Sequence, residues 1–449
     1  MVTSPQLKIV MVTPIMKKKK REIIKNICQY THSDIVINKE AMNIFLESVQ
    51  PFLPEPLNLG GDITRDEVQS AILQLNTGGA PGPDGLPVEV YREGSSIFCD
   101  LLTDVFNEGL KTGMLHNSMY EGVISLIYKK GDPTLLENWR HITVMNVDYK
   151  ILAKIIMNRL NNILISFIER EQTCAIKGRY MWDNLGVLRD IIEINDGTEG
   201  FFVISLDQKK AFDLISRDYL WEVLRRYGFS TAFINIVKLL YFKSSVQVNV
   251  NGVLTDQFEI SRGVKQGCPL SAALYILAIN PLLSRIKNDN RLAGIRCSNG
   301  NRVVVLAYAD DIVILVKNQQ ELDIVRQYFN LYEAASGAKL NNDKTEGIWV
   351  GKPEIHPAID IHIKEELKVL GVYFSAVESY NKNWERKEIE IKNELNKWEK
   401  RACSYKTKIS IIKTCVLSRL CFLSSIYPPN EITLKRLQTG HELSLGHHP

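Results

Sequence analysis

The hydrophobic positions of this chain fall into short β-branched runs that alternate with stretches of helical spacing. Phe201-Phe-Val-Ile-Ser-Leu206 is a continuous apolar run closed by Asp207, which predicts a buried strand. Val303-Val-Val-Leu306 and Ile312-Val-Ile-Leu-Val316 flank Tyr308-Ala-Asp-Asp311 and predict a hairpin with two carboxylates at its turn. Val123 to Tyr128 predicts a further strand leading into Lys129-Lys-Gly-Asp132, a turn carrying two cations. Val246 to Val250, then Asn251-Gly252 and Phe258-Glu-Ile260, predict a hairpin, because Asn-Gly supplies the left-handed backbone of a tight turn.

The helical stretches carry their own signals. Thr64-Arg-Asp-Glu67 is a capping box opening a helix through Leu75. From Tyr149 to Ile165, residues Ile151, Leu152, Ile155, Ile156 and Leu160 share one side. Lys150, Lys154 and Arg159 lie elsewhere, facing phosphates or simply water. Arg217 to Tyr227 closes at Gly228. Further helices are predicted from Leu270 to about Ile286 and from Gln319 to Ala335, with strands near 347–350 and 369–374. The order β-α-β-β-α-β is that of a split βαβ, ferredoxin-like sheet, so the fold class is α+β.

Elsewhere the pattern is weaker. Residues 1–60 are mixed and end in Pro51-Phe-Leu-Pro-Glu-Pro56, a helix-stopping linker. Gly78-Gly-Ala-Pro-Gly-Pro-Asp-Gly85 predicts a rigid turn, either near a ligand or as a plain interhelical loop. Residues 383–425 read as Lys-rich helices with two tryptophans, and beyond about Thr439 the periodicity is lost.

Composition changes this picture little. Of 449 residues, 45% are hydrophobic and 24% charged, as in an ordinary globular protein with a large core. A net charge of +4 is compatible with nucleic acid without indicating it. The eight cysteines form no C-x-x-C pair and no zinc-type spacing, and read as free thiols in a reducing compartment. No apolar run is long enough to span a bilayer. Ile9 to Met16 precedes Lys17-Lys-Lys-Lys-Arg21, the reverse of a secretory signal. The basic run reads as a nuclear address, an RNA contact or a solvated helix start, which leaves nucleus and cytoplasm both open.

The candidate chemistry lies at the strand ends. In a split βαβ sheet, Asp207 and the Asp310-Asp311 turn belong to adjacent strands. Three carboxylates at one edge are costly unless cations neutralise them. Two Mg²⁺ ions about 3.5–4 Å apart would do so.

These residues carry a family resemblance. Phe201 to Asp213 resembles the first catalytic motif of reverse transcriptases, Gly263-Val-Lys-Gln-Gly-Cys-Pro-Leu-Ser271 their template- and nucleotide-contacting motif, and Tyr308-Ala-Asp-Asp311 their Y-x-D-D box. Pro81-Gly-Pro-Asp-Gly-Leu-Pro-Val-Glu89, Asn138-Trp-Arg-His-Ile-Thr143 with Asp148 to Lys154, and Ser336 to Thr345 narrow it to the polymerases of LINE-type (non-LTR) retrotransposons. The similarity covers roughly residues 60–425.

It implies a right-hand polymerase: an N-terminal extension (1–60), fingers with the start of the palm (61–200), the palm (201–375), a partial thumb (376–430) and an irregular tail (431–449). It also implies RNA-templated DNA synthesis from a DNA primer 3′-end with dNTPs, using two Mg²⁺ ions or Mn²⁺ in their place. Asp207, Asp310 and Asp311 would hold the metals, with the backbone carbonyl of Gln208 completing one site. Lys129, Arg140, Phe212, Gln266, Gly267 and Lys344 would bind the nucleotide, with Phe212 excluding a 2′-hydroxyl. Leu370-Gly371 would seat the primer, and Trp384 and Trp398 would belong to a thumb meeting the product duplex. Neither a membrane nor a particular oligomer is implied.

Some positions depart from the family pattern: Gly79 for a usual Lys, His141 for Pro, Cys174-Ala175 for Gly-Phe and Asn280 for an acidic residue. The family usually carries an endonuclease before the polymerase, and the chain starts too close to the first motif for one. That predicts a truncated copy, with a silent, RNA-binding fragment as the alternative reading.

Overall fold

In the computed structural model, residues 14–49, 59–195, 200–297, 300–352, 356–399, 401 and 404–444 are described. They divide into two compact units that interleave along the chain. One comprises the described residues up to Lys177 with Gln208–Arg285 and Gln327–Leu340; the other comprises Gly178–Asp207, Ile286–Arg326 and the residues from Asn341 onward. The sequence pattern predicted consecutive segments; contacts between distant stretches produce the interleaving.

In the second unit, Phe201–Leu206, Val305–Tyr308, Asp311–Val316 and Glu346–Val350 form the expected sheet. Glu346–Val350 and Asp311–Val316 flank Phe201–Leu206, Val305–Tyr308 lies outside Asp311–Val316, and these neighbours are antiparallel. That is the strand order of a split βαβ unit. The runs are almost unbroken in Val, Ile, Leu and Phe because the sheet is covered on both faces: Phe202, Val203, Ile204, Ile314, Leu315 and Val316 are all fully buried. Leu185, Leu188, Val203, Leu315, Ile348, Phe374 and Trp384 share one core cluster.

Two expectations about this unit are corrected. Trp384, on the helix Ser379–Glu399, is 0% exposed and belongs to that core, so it cannot stack on a duplex. Trp398 is half-buried, with the Arg401 guanidinium 4.8 Å above its ring. The stretch predicted to be an irregular tail forms a helix, Glu431–Ser444, whose start is capped by Asn430 Oδ1 accepting from the Thr433 amide. The sequence hides this helix because Ile432 and Leu434 face outward, while Thr433 is buried and Leu437 packs on the core.

The first unit contains a sheet that the sequence shows only in pieces. Glu121–Tyr128 pairs antiparallel with Trp139–Met145 and parallel with Ser245–Val250, which continues through Asn251-Gly252 into Val253–Leu254. The residues before 60, predicted to be weakly periodic, supply helices Pro14–His32 and Lys39–Leu46. Ile24 and Cys28 of the first helix pack with Ile124, Val246 and Val248 of the sheet. Lys17–Arg21 lies within that helix; the Pro51–Pro56 linker is outside the described residues.

The capping box at Thr64 forms with both hydrogen bonds and opens Arg65–Gln74. The amphipathic helix runs from Val147 to Asn161. Arg159 faces neither phosphate nor bulk water: it pairs with Glu67 at 2.6 Å and donates to the carbonyls of Leu59, Gly61 and Asp62. The Gly-Pro loop packs on the start of this helix, where a Cβ on Gly82 would lie 2.4 Å from the Asn146 amide nitrogen. Among the described residues no helix is long and apolar enough to cross a membrane.

Candidate active site

Within the second unit, strand register places the carboxylates. Leu206 pairs with Ile312 across the antiparallel ladder, so one further step sets Asp207 level with Asp311. Tyr308 pairs with Asp311, leaving Ala309-Asp310 as a two-residue turn. Ala309 is buried with φ 53°, a left-handed conformation that costs a non-glycine residue about 1–2 kcal/mol. The tight turn is therefore held by its surroundings: Asn184 Nδ2 donates to the Ala307 carbonyl at 2.9 Å. Asp207 and Asp310 are half-buried and Asp311 is exposed.

Asp207 is doubly tethered. Asn341 Nδ2 donates to its Oδ2 and the Asn341 backbone N–H donates to its carbonyl, both at 2.7 Å. One carboxylate oxygen is thus oriented and the other is left for a ligand. An all-oxygen set at a solvent-facing strand edge suits a hard divalent cation such as Mg²⁺.

Two other predicted residues belong to this unit. Lys344 is exposed on the short turn Asn342–Lys344, directly after Asn341. Leu370-Gly371 is the turn between Leu367–Val369 and Val372–Phe374. Both of its residues have positive φ, 47° and 90°, and Leu370 packs against the core cluster.

The first unit brings together Phe212, Gln266 and Gly267. Phe212 stacks on Tyr275 with ring centroids 4.5 Å apart, and its carbonyl accepts from the Val264 amide at 2.8 Å. The Gln266 carbonyl accepts from the Thr143 amide at 2.8 Å, and its side-chain Nε2 donates to Asp213 Oδ1 at 2.8 Å. Gly267 has φ 110°, and a Cβ there would meet the Thr143 carbonyl oxygen at 2.6 Å. Gln208 forms an isolated bridge with Leu340. Lys129 and Arg140 are exposed at one end of a hairpin in which Ile127 pairs with Arg140.

Reasoning from sequence missed three residues here. Asn341 lies inside the Ser336–Thr345 motif, but only the fold reveals its partner. Asp213 is buried and held by Gln266; burial pushes its carboxyl up to about 6, with the nearby Lys210 charge opposing the rise. Lys265 is buried with its ammonium 4.3 Å over the Tyr149 ring, and burial pushes its pKa down to about 7.

The family model for reverse transcriptase (RNA-dependent DNA polymerase) matches residues 127–374. The chain is 33% identical over 390 residues, 84% of its length, to a Transposon TX1 uncharacterized 149 kDa protein of Xenopus laevis, covering 29% of that protein. It is 26% identical over 395 residues, 80% of its length, to the retrovirus-related Pol polyprotein from the type-2 retrotransposable element R2DM of Drosophila melanogaster, covering 36% of it. The chain therefore spans about a third of the length of these relatives. Among solved structures, apo telomerase from Candida tropicalis is similar at a TM-score of 0.43 and 14% identity, over 63% of this chain and 52% of that one.

Proposed function

This chain belongs to the reverse transcriptase (RNA-dependent DNA polymerase) family, in its LINE-type, non-LTR form, and on that premise we propose that it extends a primer 3′-end with deoxynucleotides on an RNA template at Asp207, Asp310 and Asp311. The observation that supports this reading is the strand register that sets Asp207 level with the Asp310-Asp311 turn. Asp207, Asp310 and Asp311 would hold divalent cations, Mg²⁺ first or Mn²⁺ in its place, with the Gln208 carbonyl as a further ligand. Bound there, such ions supply charge neutralisation at the attacking hydroxyl and at the triphosphate.

The chain's own residues then position and discriminate. Asn341 fixes the Asp207 carboxylate, so that catalytic geometry exists before substrate arrives. Phe212, braced by Tyr275, presents an aromatic wall against a ribose 2′-hydroxyl and so selects deoxynucleotides. Gln266, held by Asp213, and Gly267, which leaves the backbone bare, line the templating side. Lys129, Arg140 and Lys344, all exposed, would bind the triphosphate, and Lys344 would protonate pyrophosphate. Leu370-Gly371 seats the primer terminus.

Primer extension by the purified chain, on an RNA template with each nucleotide set in turn, tests the reading. Extension with dNTPs in Mg²⁺, and little with rNTPs, is expected. Tight RNA binding without extension would favour a silent fragment, and preferential use of rNTPs would place the chain with a different polymerase class.

A further inference from the structure

Buried in the first unit lies a group of side chains able to ligate a metal, two of which, His32 and His141, have no part in the proposed polymerase chemistry. His32 ends the helix Pro14–His32, His141 sits in the strand Trp139–Met145, and Asp213 follows Phe212. They are 7%, 2% and 4% exposed. One ligand atom from each lies within 4.8 Å of the others, and the two imidazole centroids are 6.2 Å apart.

Three of the four ring nitrogens in this cluster lack a hydrogen-bond partner. Neither His141 Nδ1 nor Nε2 has a hydrogen-bond partner, nor does His32 Nε2, although all three are shielded from solvent. An orphaned buried nitrogen is costly, and such atoms call for a ligand. Asp213 accepts from Gln266 through one oxygen, the kind of outer contact that orients a ligating carboxylate. The His32 backbone carbonyl accepts from the Ser261 amide at 2.9 Å, which anchors that end of its helix.

We propose that His32, His141 and Asp213 form a binding site for a borderline divalent metal, Zn²⁺ in preference to Mg²⁺. Two imidazoles and a carboxylate suit zinc, whose ligands lie about 2.0–2.2 Å from the ion, whereas Mg²⁺ prefers oxygen alone. The spacing requires only a small inward movement of the three side chains. Lys210 and Arg262 stand close by, donating to Thr31 Oγ1 at 3.1 Å and to the Thr31 carbonyl at 2.8 Å. Their charge makes the site weaker than a thiolate site and leaves Asp213 as the one anionic ligand. The bound ion would clamp three segments and, through Asp213, stiffen the backbone beside Phe212 and the hydrogen bond that holds Gln266. Its role is structural, because the cluster is closed to solvent.

Titration of the metal-free full chain with ZnCl₂ in excess Mg²⁺, read by competition with a chromogenic chelator, tests this. One zinc per chain is expected, with affinity unchanged in Asp310→Asn and at least about tenfold weaker in His141→Gln and His32→Gln. X-ray absorption of the zinc-loaded wild-type chain should show imidazole scattering from two rings, a readout that does not depend on any variant folding. No stoichiometric zinc, equal affinity in His141→Gln, or an imidazole-free spectrum would overturn the proposal.

Discussion

Asn341 is the residue on which the candidate catalytic centre leans most, after the carboxylates themselves. It holds Asp207 by side chain and backbone together, so Asn341→Ala removes the orientation while keeping the charge. Primer extension by Asn341→Ala should fall about 10–100-fold in kcat, with dNTP KM and the far-ultraviolet spectrum nearly unchanged. A wild-type kcat would show that the contact is incidental. Phe212 acts at the same scale but on choice. Phe212→Ala should leave dNTP incorporation within a few-fold while raising rNTP incorporation more than about tenfold, measured as the ratio of kcat/KM values. An unchanged ratio would return Phe212 to the core, as a ring packed on Tyr275 and nothing more.

At the scale of elements, the loop from Gly263 to Pro269 combines two costs: bare backbone and a buried cation. Gly267→Ala forces a side chain into a left-handed φ and against the Thr143 carbonyl. It should destabilise the chain by about 2–4 kcal/mol in urea unfolding. Lys265 titrates near 7 in the folded chain, below its unfolded value, because burial disfavours the ammonium. Its stability contribution is present above the unfolded pKa and is lost as pH falls through about 7. Lys265→Met should therefore raise the melting temperature at pH 7 and below, and the gain should shrink as pH rises toward 10. A gain independent of pH would contradict a charged buried lysine.

Legibility also divides by element. The strand Phe201–Leu206 and the hairpin around Asp310-Asp311 are plain in the sequence because a doubly covered sheet is written as unbroken apolar runs. The helix Pro14–His32 is not, since Ile24 and Cys28 are the buried contacts it offers the sheet and its remaining positions are dominated by lysine and polar residues. Trp384 belongs to the core although its sequence setting suggests a nucleic-acid face, because an aromatic among lysines looks the same whether it points into a core or out of it. The Asn341–Asp207 contact and the His32, His141 and Asp213 cluster are pairings across more than a hundred residues or between separate elements, and no local pattern encodes them.

At the scale of the whole molecule, the residues with proposed roles are distributed over both units. The carboxylates, Asn341 and the Leu370-Gly371 turn belong to one, and Phe212, Gln266, Lys129 and Arg140 to the other. Substitutions should sort accordingly: Lys129→Ala should raise dNTP KM several-fold with primer–template affinity unchanged, whereas changes at the carboxylates should act on kcat. A loss of primer–template affinity in Lys129→Ala would instead place that cation on the nucleic acid. The central claim, that Asp207, Asp310 and Asp311 act as one cation-holding centre, is tested most directly by the single-turnover rate of dNTP addition to a primer on RNA, wild type beside Asp310→Asn, at saturating Mg²⁺. A fall of at least about a thousandfold, with primer–template binding retained, is the predicted result; an Asp310→Asn rate within a few-fold of wild type would contradict it.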